Sequence, residues 1–455
     1  MDTLQRMDDR SDPPRREPSV GNERQNATHP ILLGTGAAFG HHYTTDEMID
    51  AFRAQRIDEG DVECDLEFAE RVFRACGYDA HSVTLAREDL FRRMTRVEYL
   101  QRRMTNLLDL AASAADDALR MWGGDRSSIT HLYWGTMTGG MDSPTIDILL
   151  TERLGLSPDV ERTSIEGMGC LTGFRLLNLA RTACLAEPNA RVLAVAGDLR
   201  SALQNSLPER VSKADIVSAA LFRDAASAAV VGGQCWEHET AHFEIVAGKS
   251  RIVAGTRELV SYCEQDGGSI QLHLSKRLPD AVAAAEPDFV RALFAEAERR
   301  GEEAPQVVDL DIACHTGGPR ILHEVAAALE AEDEQLEASW AVMKAHGNLS
   351  GASNLAVLHH HIVHVNTGRD WVLCLSMGPG VCLEGLLLRR AASRQSQDAD
   401  EAAIARLSGV RSRSASAFSL SGGRSRSVSA ESAAKLRIEE EHVNSPTCAR
   451  RMWAR

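Results

Sequence analysis

Cys170, His315 and Asn348 each stand where an apolar run gives way to small residues and then to a helical pattern. Cys170 lies in Ile165-Glu166-Gly167-Met168-Gly169-Cys170-Leu171-Thr172-Gly173-Phe174, which leads into Arg175-Leu176-Leu177-Asn178-Leu179-Ala180. Its glycines permit a tight turn and close backbone approach. A cysteine at a helix start feels the positive end of the macrodipole, which predicts a lowered pKa and a reactive thiolate. His315 sits in Ala313-Cys314-His315-Thr316-Gly317-Gly318-Pro319, after a strand pattern and before a helix. Asn348 sits in His346-Gly347-Asn348-Leu349-Ser350-Gly351, a glycine-rich entry into an apolar helix. A thiolate made by a Cys–His pair can hold an acyl group as a thioester. Imidazole and carboxamide N–H groups can stabilise an oxyanion, and asparagine does so without titrating. A lone cysteine is ordinarily an inert, buried one. With these partners Cys170 reads as an activated nucleophile instead.

The positioning elements alternate. A short apolar strand, Pro30-Ile31-Leu32-Leu33-Gly34-Thr35-Gly36, opens the ordered chain. Gly34, Gly36 and Gly40 have the wrong spacing for a dinucleotide fingerprint, and no helix follows them. Thr44 and Glu47 predict a capping box for a helix near 45–56. Leu100, Met104, Leu107, Leu108, Ala111 and Ala115 predict a long helix over 97–122. Strands are expected at 131–136, 190–197 and 228–232, with helices through 146–150 and at 217–222. In the second half the pattern predicts strands at 243–248, 269–274, 308–313, 371–376 and 381–388, and a helix at 281–300. The apolar strands suit a parallel sheet covered on both faces. This implies two related α/β halves, 30–242 carrying the cysteine and 243–390 carrying the histidine and asparagine. Residues 1–29 read as a disordered polar arm. Residues 391–455 read as a disordered Ser/Arg-rich tail.

Composition narrows the function classes. The 455 residues are 44% hydrophobic and 25% charged, the balance of an ordinary globular chain. A net charge of −15 and 5% aromatics give no support to nucleic-acid binding. No run of about 20 apolar residues exists to span a bilayer. The N-terminal residues hold no apolar signal region, and the 10 cysteines lack framework spacing. A reduced, cytoplasmic protein is therefore expected.

Four ordered motifs resemble the type III polyketide synthases, the chalcone-synthase-like branch of the thiolase superfamily. They are GMGCLTGFRLL, HTGGPRIL, HGNLSGAS and SMGPG. The resemblance covers about residues 30–390 and implies a thiolase-like duplicated αβαβα layered fold. It implies Cys170, His315 and Asn348 as the catalytic set, acyl-CoA and malonyl-CoA as substrates, no cofactor, and a homodimer with Ser143 near the crossing point. Arg71 and Arg74 match positions that hold the CoA phosphates, while a third basic position is Tyr78. Phe222 matches one aromatic gatekeeper and Leu272 stands where the other would be. Thr138, Gln204, Cys263 and Ser350 match cavity-lining positions. Gly378, Pro379 and Gly380 match the family's GFGPG loop, two of whose five positions differ here. Leu272 in place of a phenylalanine weighs against a phenylpropanoid starter.

Rival readings are weaker. An initiating β-ketoacyl-ACP synthase shares the three residues but typically has an HQAN-like segment where His315-Thr316-Gly317-Gly318 stands. Hydroxymethylglutaryl-CoA synthase would need a catalytic glutamate that no motif supplies. A catalytically silent family member would not need all three polar residues. His360 and His364 lie one helical turn apart, yet nothing completes a metal site, and a solvated helix end is expected. Cys314 on its strand should point away from the face that His315 serves.

Overall fold

The computed structural model describes residues 29–58, 64–139, 143–201, 211–264 and 270–391. Both terminal segments expected to be disordered lie outside the described residues, apart from His29 and Ala391 at their inner ends. The first half contains β1 (Ile31–Phe39), β2 (His41–Tyr43), α1 (Thr45–Asp58), α2 (Leu66–Ala75), β3 (His81–Val83) and α3 (Arg96–Trp122). It continues with β4 (His131–Thr136), α4 (Ile146–Leu154), β5 (Glu161–Glu166), α5 (Thr172–Ala186), β6 (Arg191–Asp198), α6 (Lys213–Leu221) and β7 (Ala225–Gly232). The second half holds β8 (Phe243–Ile252), β9 (Val260–Glu264), β10 (Ile270–Leu274), α7 (Leu278–Arg299) and β11 (Leu310–Cys314). After these come α8 (Pro319–Leu329), α9 (Glu337–His346), α10 (Ser353–His364), β12 (Trp371–Gly378) and β13 (Cys382–Arg390).

Nine strands form one sheet in the order β11-β12-β13-β8-β1-β7-β6-β4-β5. Read outward from its middle, each half repeats one plan. β1, β7, β6 and β4 correspond to β8, β13, β12 and β11, with the last pair parallel in both halves. Within the sheet the two halves pair through β1 and β8, Ile31 with Glu244 and Leu32 with Phe243. Helix α3 covers the outer face of β1, β7 and β6, and α7 covers β8 and β13. Between them α5 and α10 pack on each other, and α5 touches strands of both halves. Each half of the sheet is thus covered on one face by α3 or α7 and on the other by α5 and α10. Every residue of β6 and β7 is buried, as two covered faces require.

Local chemistry explains these elements. The Thr44 amide donates to Glu47 Oε2 at 2.9 Å, and the Glu47 amide donates to Thr44 Oγ1 at 3.2 Å, so the expected capping box opens α1. Thr95 caps α3, and Gly123 at φ 74° ends it. The early glycines have a packing role. A Cβ on Gly34 or Gly36 would lie 2.4 Å from Ala118 O or 2.2 Å from Ala114 O, so their absence lets α3 lie directly on β1. At the far end of β6, Arg191 and Glu239 form a fully buried ion pair at 2.7 Å, with Trp122 Nε1 donating to the same carboxylate. Strand β5 and the ribbon of β9 with β10 carry weak periodicity, and the sequence shows only part of them. All six residues of β5 escape full burial, so no apolar alternation marks it.

Candidate active site

Cys170 lies in a single 3-10 turn, Gly169–Leu171, between β5 and α5. Gly169 has φ 61°, a left-handed conformation that suits glycine. Glycines then lock this turn to two others. A Cβ on Gly169 would lie 2.8 Å from Pro379 Cδ, and one on Gly378 would lie 2.8 Å from Met168 O. A Cβ on Gly351 would meet Thr172 Cβ at 2.7 Å, and one on Gly173 would meet Gly351 O at 2.8 Å. Three loops distant in sequence thus close on one another at backbone distance. The Gly378-Pro379-Gly380 turn is the packing wall of the cysteine turn.

His315 follows β11, and its amide donates to Leu375 O of β12 at 2.9 Å. Asn348 sits between α9 and α10, where its backbone carbonyl accepts from Arg223 N at 2.8 Å. The Ser350 amide donates to Asn348 Oδ1 at 2.9 Å. That bond fixes which end of the carboxamide is which, and Nδ2 points toward Gly317 O at 3.5 Å in the histidine loop. Ser350 adopts φ 54° in a fully buried position. Asn354, one helical step further, donates Nδ2 to the Cys170 carbonyl at 3.0 Å. Asp198, buried at the end of β6, accepts from Met137 N at 2.6 Å and Thr138 N at 3.2 Å through Oδ1, and from Gly351 N at 3.1 Å through Oδ2. It ties the Thr138 turn to the asparagine loop. Neither Asn354 nor Asp198 stands out in the sequence, because a single buried carboxamide or carboxylate carries no motif.

Burial dominates the electrostatics. It pushes the Cys170 thiol up to about 11, opposed by the positive charge of Arg200 and by the Ser350 hydroxyl. Helix-dipole reasoning predicted a lowered value. Desolvation is the largest influence on this thiol and acts in the opposite direction. Burial also pushes His315 down to about 4, with the Asn354 side chain acting the other way. Near neutral pH the Cys170 thiol and the His315 imidazole are both uncharged. Chemically, the arrangement offers a nucleophile, a base and two N–H donors.

The sequence matches the family described as "Chalcone and stilbene synthases" over both its N-terminal domain, residues 93–235, and its C-terminal domain, residues 244–392. The chain belongs to this family. Among relatives of this type III polyketide synthase, a "Type III polyketide synthase 21" from Oryza sativa subsp. japonica is 32% identical over 62% of this chain and 72% of its own. A "Type III polyketide synthase A" from Arabidopsis thaliana is 27% identical over 81% and 94%. A "Probable polyketide synthase 1" from Dictyostelium discoideum is 31% identical, and the match spans 62% of this chain but 9% of that much longer protein. The C-terminal type III domain of a Dictyostelium type I/III hybrid shares the fold at TM-score 0.72, with 24% identity over 80% of this chain and all of that one. These neighbours place the layered architecture in the thiolase-like class.

The remaining family positions divide. Phe222 is buried at the end of α6 and forms a backbone bridge with Asn348. Leu272 is buried on β10, opposite Tyr262 of β9. Thr138 is buried, and its hydroxyl accepts from Leu199 N at 3.0 Å. Gln204 lies outside the described residues, as does the side chain of Cys263 on β9. Arg71 and Arg74 are exposed on α2, where Arg74 pairs with Asp46 at 3.0 Å and with Glu70 at 3.0 Å. Tyr78 is buried and donates its hydroxyl to Leu221 O at 3.1 Å, so it cannot serve as a surface cation site. Another cation lies beside Arg71: Lys213 Nζ is 5.1 Å over the Phe68 ring that Arg71 also overlies at 5.6 Å, and 3.9 Å from Asp65 Oδ2. Sequence spacing could not show this, since 142 positions separate Arg71 from Lys213 along the chain. The rings of His360 and His364 are 4.7 Å apart. No group of three metal-binding side chains occurs among the described residues. No helix among them is long and apolar enough to cross a membrane.

Proposed function

We propose that this chain is an iterative condensing enzyme that loads an acyl-CoA starter on Cys170, extends it with malonyl-CoA and cyclises the product to a pyrone, resorcinol or related ring. The observation carrying this reading is the interlock of the Cys170, His315 and Asn348 loops, with the asparagine amide oriented by Ser350 and the cysteine turn held by Asn354. His315 takes the Cys170 proton as the sulfur attacks the starter thioester, and the imidazolium returns it to the departing CoA thiolate. Malonyl-CoA then loses CO2, and the electron pair left behind becomes a thioester enolate. N–H groups of His315 and Asn348 hold its oxygen. The enolate carbon attacks the acyl carbonyl, the Cys170 thiolate leaves, and the chain is two carbons longer. No cofactor is needed, because decarboxylation supplies the carbanion. Arg71 and Lys213 are positioned to meet CoA phosphates, and the active form is a cytoplasmic homodimer.

The test is to incubate purified protein with a panel of acyl-CoAs and labelled malonyl-CoA without carrier protein. Extended pyrones or resorcinols are expected. A strict need for acyl carrier protein with a single condensation would replace this reading with that of an initiating ketoacyl synthase. Cys170→Ala should abolish starter loading while malonyl decarboxylation continues, and His315→Ala and Asn348→Ala should each reduce decarboxylation about a hundredfold or more. Unchanged decarboxylation in both would remove their donor roles.

A further inference from the structure

Arg200 is a cation where the condensation chemistry itself requires none. It follows β6 by two positions and is 2% exposed. Its Cζ lies 4.4 Å over the Phe222 ring and 4.8 Å over the Tyr262 ring. Its charge reaches the Cys170 sulfur. The backbone is pinned on both sides, by Leu199 N donating to Thr138 Oγ1 at 3.0 Å and Ser201 N donating to Asp224 Oδ1 at 2.7 Å. Tyr262 shares a ribbon face with Leu272, directly across the β9–β10 pair. Its Oη is buried and makes no hydrogen bond among the described residues. Arg200 thus stacks on two rings, with Leu272 across the ribbon from Tyr262 and Phe222 bridged through its backbone to Asn348.

Aromatic faces suit the two faces of a guanidinium, whereas its N–H groups lie in the plane and are met edge-on by oxygen. A saturated acyl chain has no oxygen to offer beyond its thioester. A β-ketoacyl chain has one at C3, and its acidified C2 hydrogen makes it readily an enolate, which a cation favours. The malonyl carboxylate suits the site poorly, because an ion pair would stabilise the group that must leave as CO2.

We propose that Arg200 and the Tyr262 hydroxyl recognise the C3 oxygen of a β-ketoacyl chain held on Cys170, so that the pocket favours extended, oxygenated chains over saturated ones. This rests on the condensing-enzyme reading above. The test compares hexanoyl-CoA with 3-oxohexanoyl-CoA as primers, with labelled malonyl-CoA, in wild type, Arg200→Met, Arg200→Lys and Tyr262→Phe. In Arg200→Met the ratio of kcat/KM for the oxo primer to that for the saturated primer should fall at least about tenfold, the scale of a lost charged hydrogen bond. Products from hexanoyl-CoA should stop after the first extension. Arg200→Lys should fall between the two, and Tyr262→Phe should shift the ratio the same way by a few-fold. An equal loss with both primers would assign Arg200 to the thiol instead and overturn the proposal. An unchanged ratio would overturn it as well. If Arg200→Met fails to fold, Tyr262→Phe decides alone. Failure of the condensing-enzyme reading is separately visible, as wild type would then extend neither primer.

Discussion

At Cys170 desolvation is the largest influence on the thiol. A thiol pushed up to about 11 holds its proton throughout the neutral range. Alkylation of Cys170 by iodoacetamide should therefore rise about tenfold per pH unit from pH 7 to 9, following thiolate fraction without a plateau. A midpoint near pH 6, read by mass spectrometry of the Cys170 peptide, would show a standing thiolate instead. A second residue tells the same story without serving the reaction. Glu286 on α7 is 1% exposed, its Oε2 has no hydrogen bond among the described residues, and burial pushes its carboxyl up to about 8. Its folded-state pKa is raised above the unfolded value, so its penalty is absent at low pH. Stability is lost as pH climbs from about 4.5 to about 8, then levels off. Glu286→Gln should leave Tm unchanged at pH 5 and raise it by about 3 °C or more at pH 9. A parallel shift at both pH values would reject this account.

Among the elements, loop-to-loop fit matters more than helix or strand propensity. Gly169, Gly173, Gly351 and Gly378 allow the cysteine turn, the entry to α10 and the end of β12 to touch backbone to backbone. Gly351→Ala would drive a Cβ to within 2.7 Å of Thr172 Cβ and 2.9 Å of Gly169 O. The expected result is about 1–3 kcal/mol of destabilisation from overpacking. Condensation should slow at least tenfold in kcat, because the same shift displaces Cys170 from the asparagine loop. Wild-type kcat with a lowered Tm would separate stability from alignment. At the other end of the sheet, the Arg191–Glu239 pair joins the start of β6 to the chain beyond β7. Glu239→Ala would leave a buried guanidinium uncompensated and should cost about 3–5 kcal/mol in denaturant melts.

The whole molecule carries a net charge of −15, a poor match for a polyanionic thioester unless charge is arranged locally. Arg71 and Lys213 are brought together over Phe68 from α2 and α6, with Lys213 3.9 Å from Asp65, and under the proposed function they are the cations that meet the CoA phosphates. Arg74 is already paired with two carboxylates. Arg71→Glu combined with Lys213→Glu should raise KM for acyl-CoA about tenfold with kcat little changed, and the effect should shrink at high salt. Arg74→Ala should do less. An equal KM change in both variants would move the phosphate contact to Arg74.

The sequence alone determined the alternation of elements and the polar residues at their ends. Apolar period and glycine-rich exits are local properties, which is why α1, α3 and the buried strands β6, β7 and β12 were legible within a few residues. The catalytic candidates were legible for the same reason, since each sits in its own short motif. Tertiary structure decided everything that depends on proximity: the desolvation that raises the Cys170 thiol, the anchoring by Asn354 and Asp198, and the meeting of Lys213 with Arg71 over Phe68. It also decided the stacking of Arg200 on Phe222 and Tyr262. Burial and field at a point sum over groups scattered along the chain, and only folding assembles that sum.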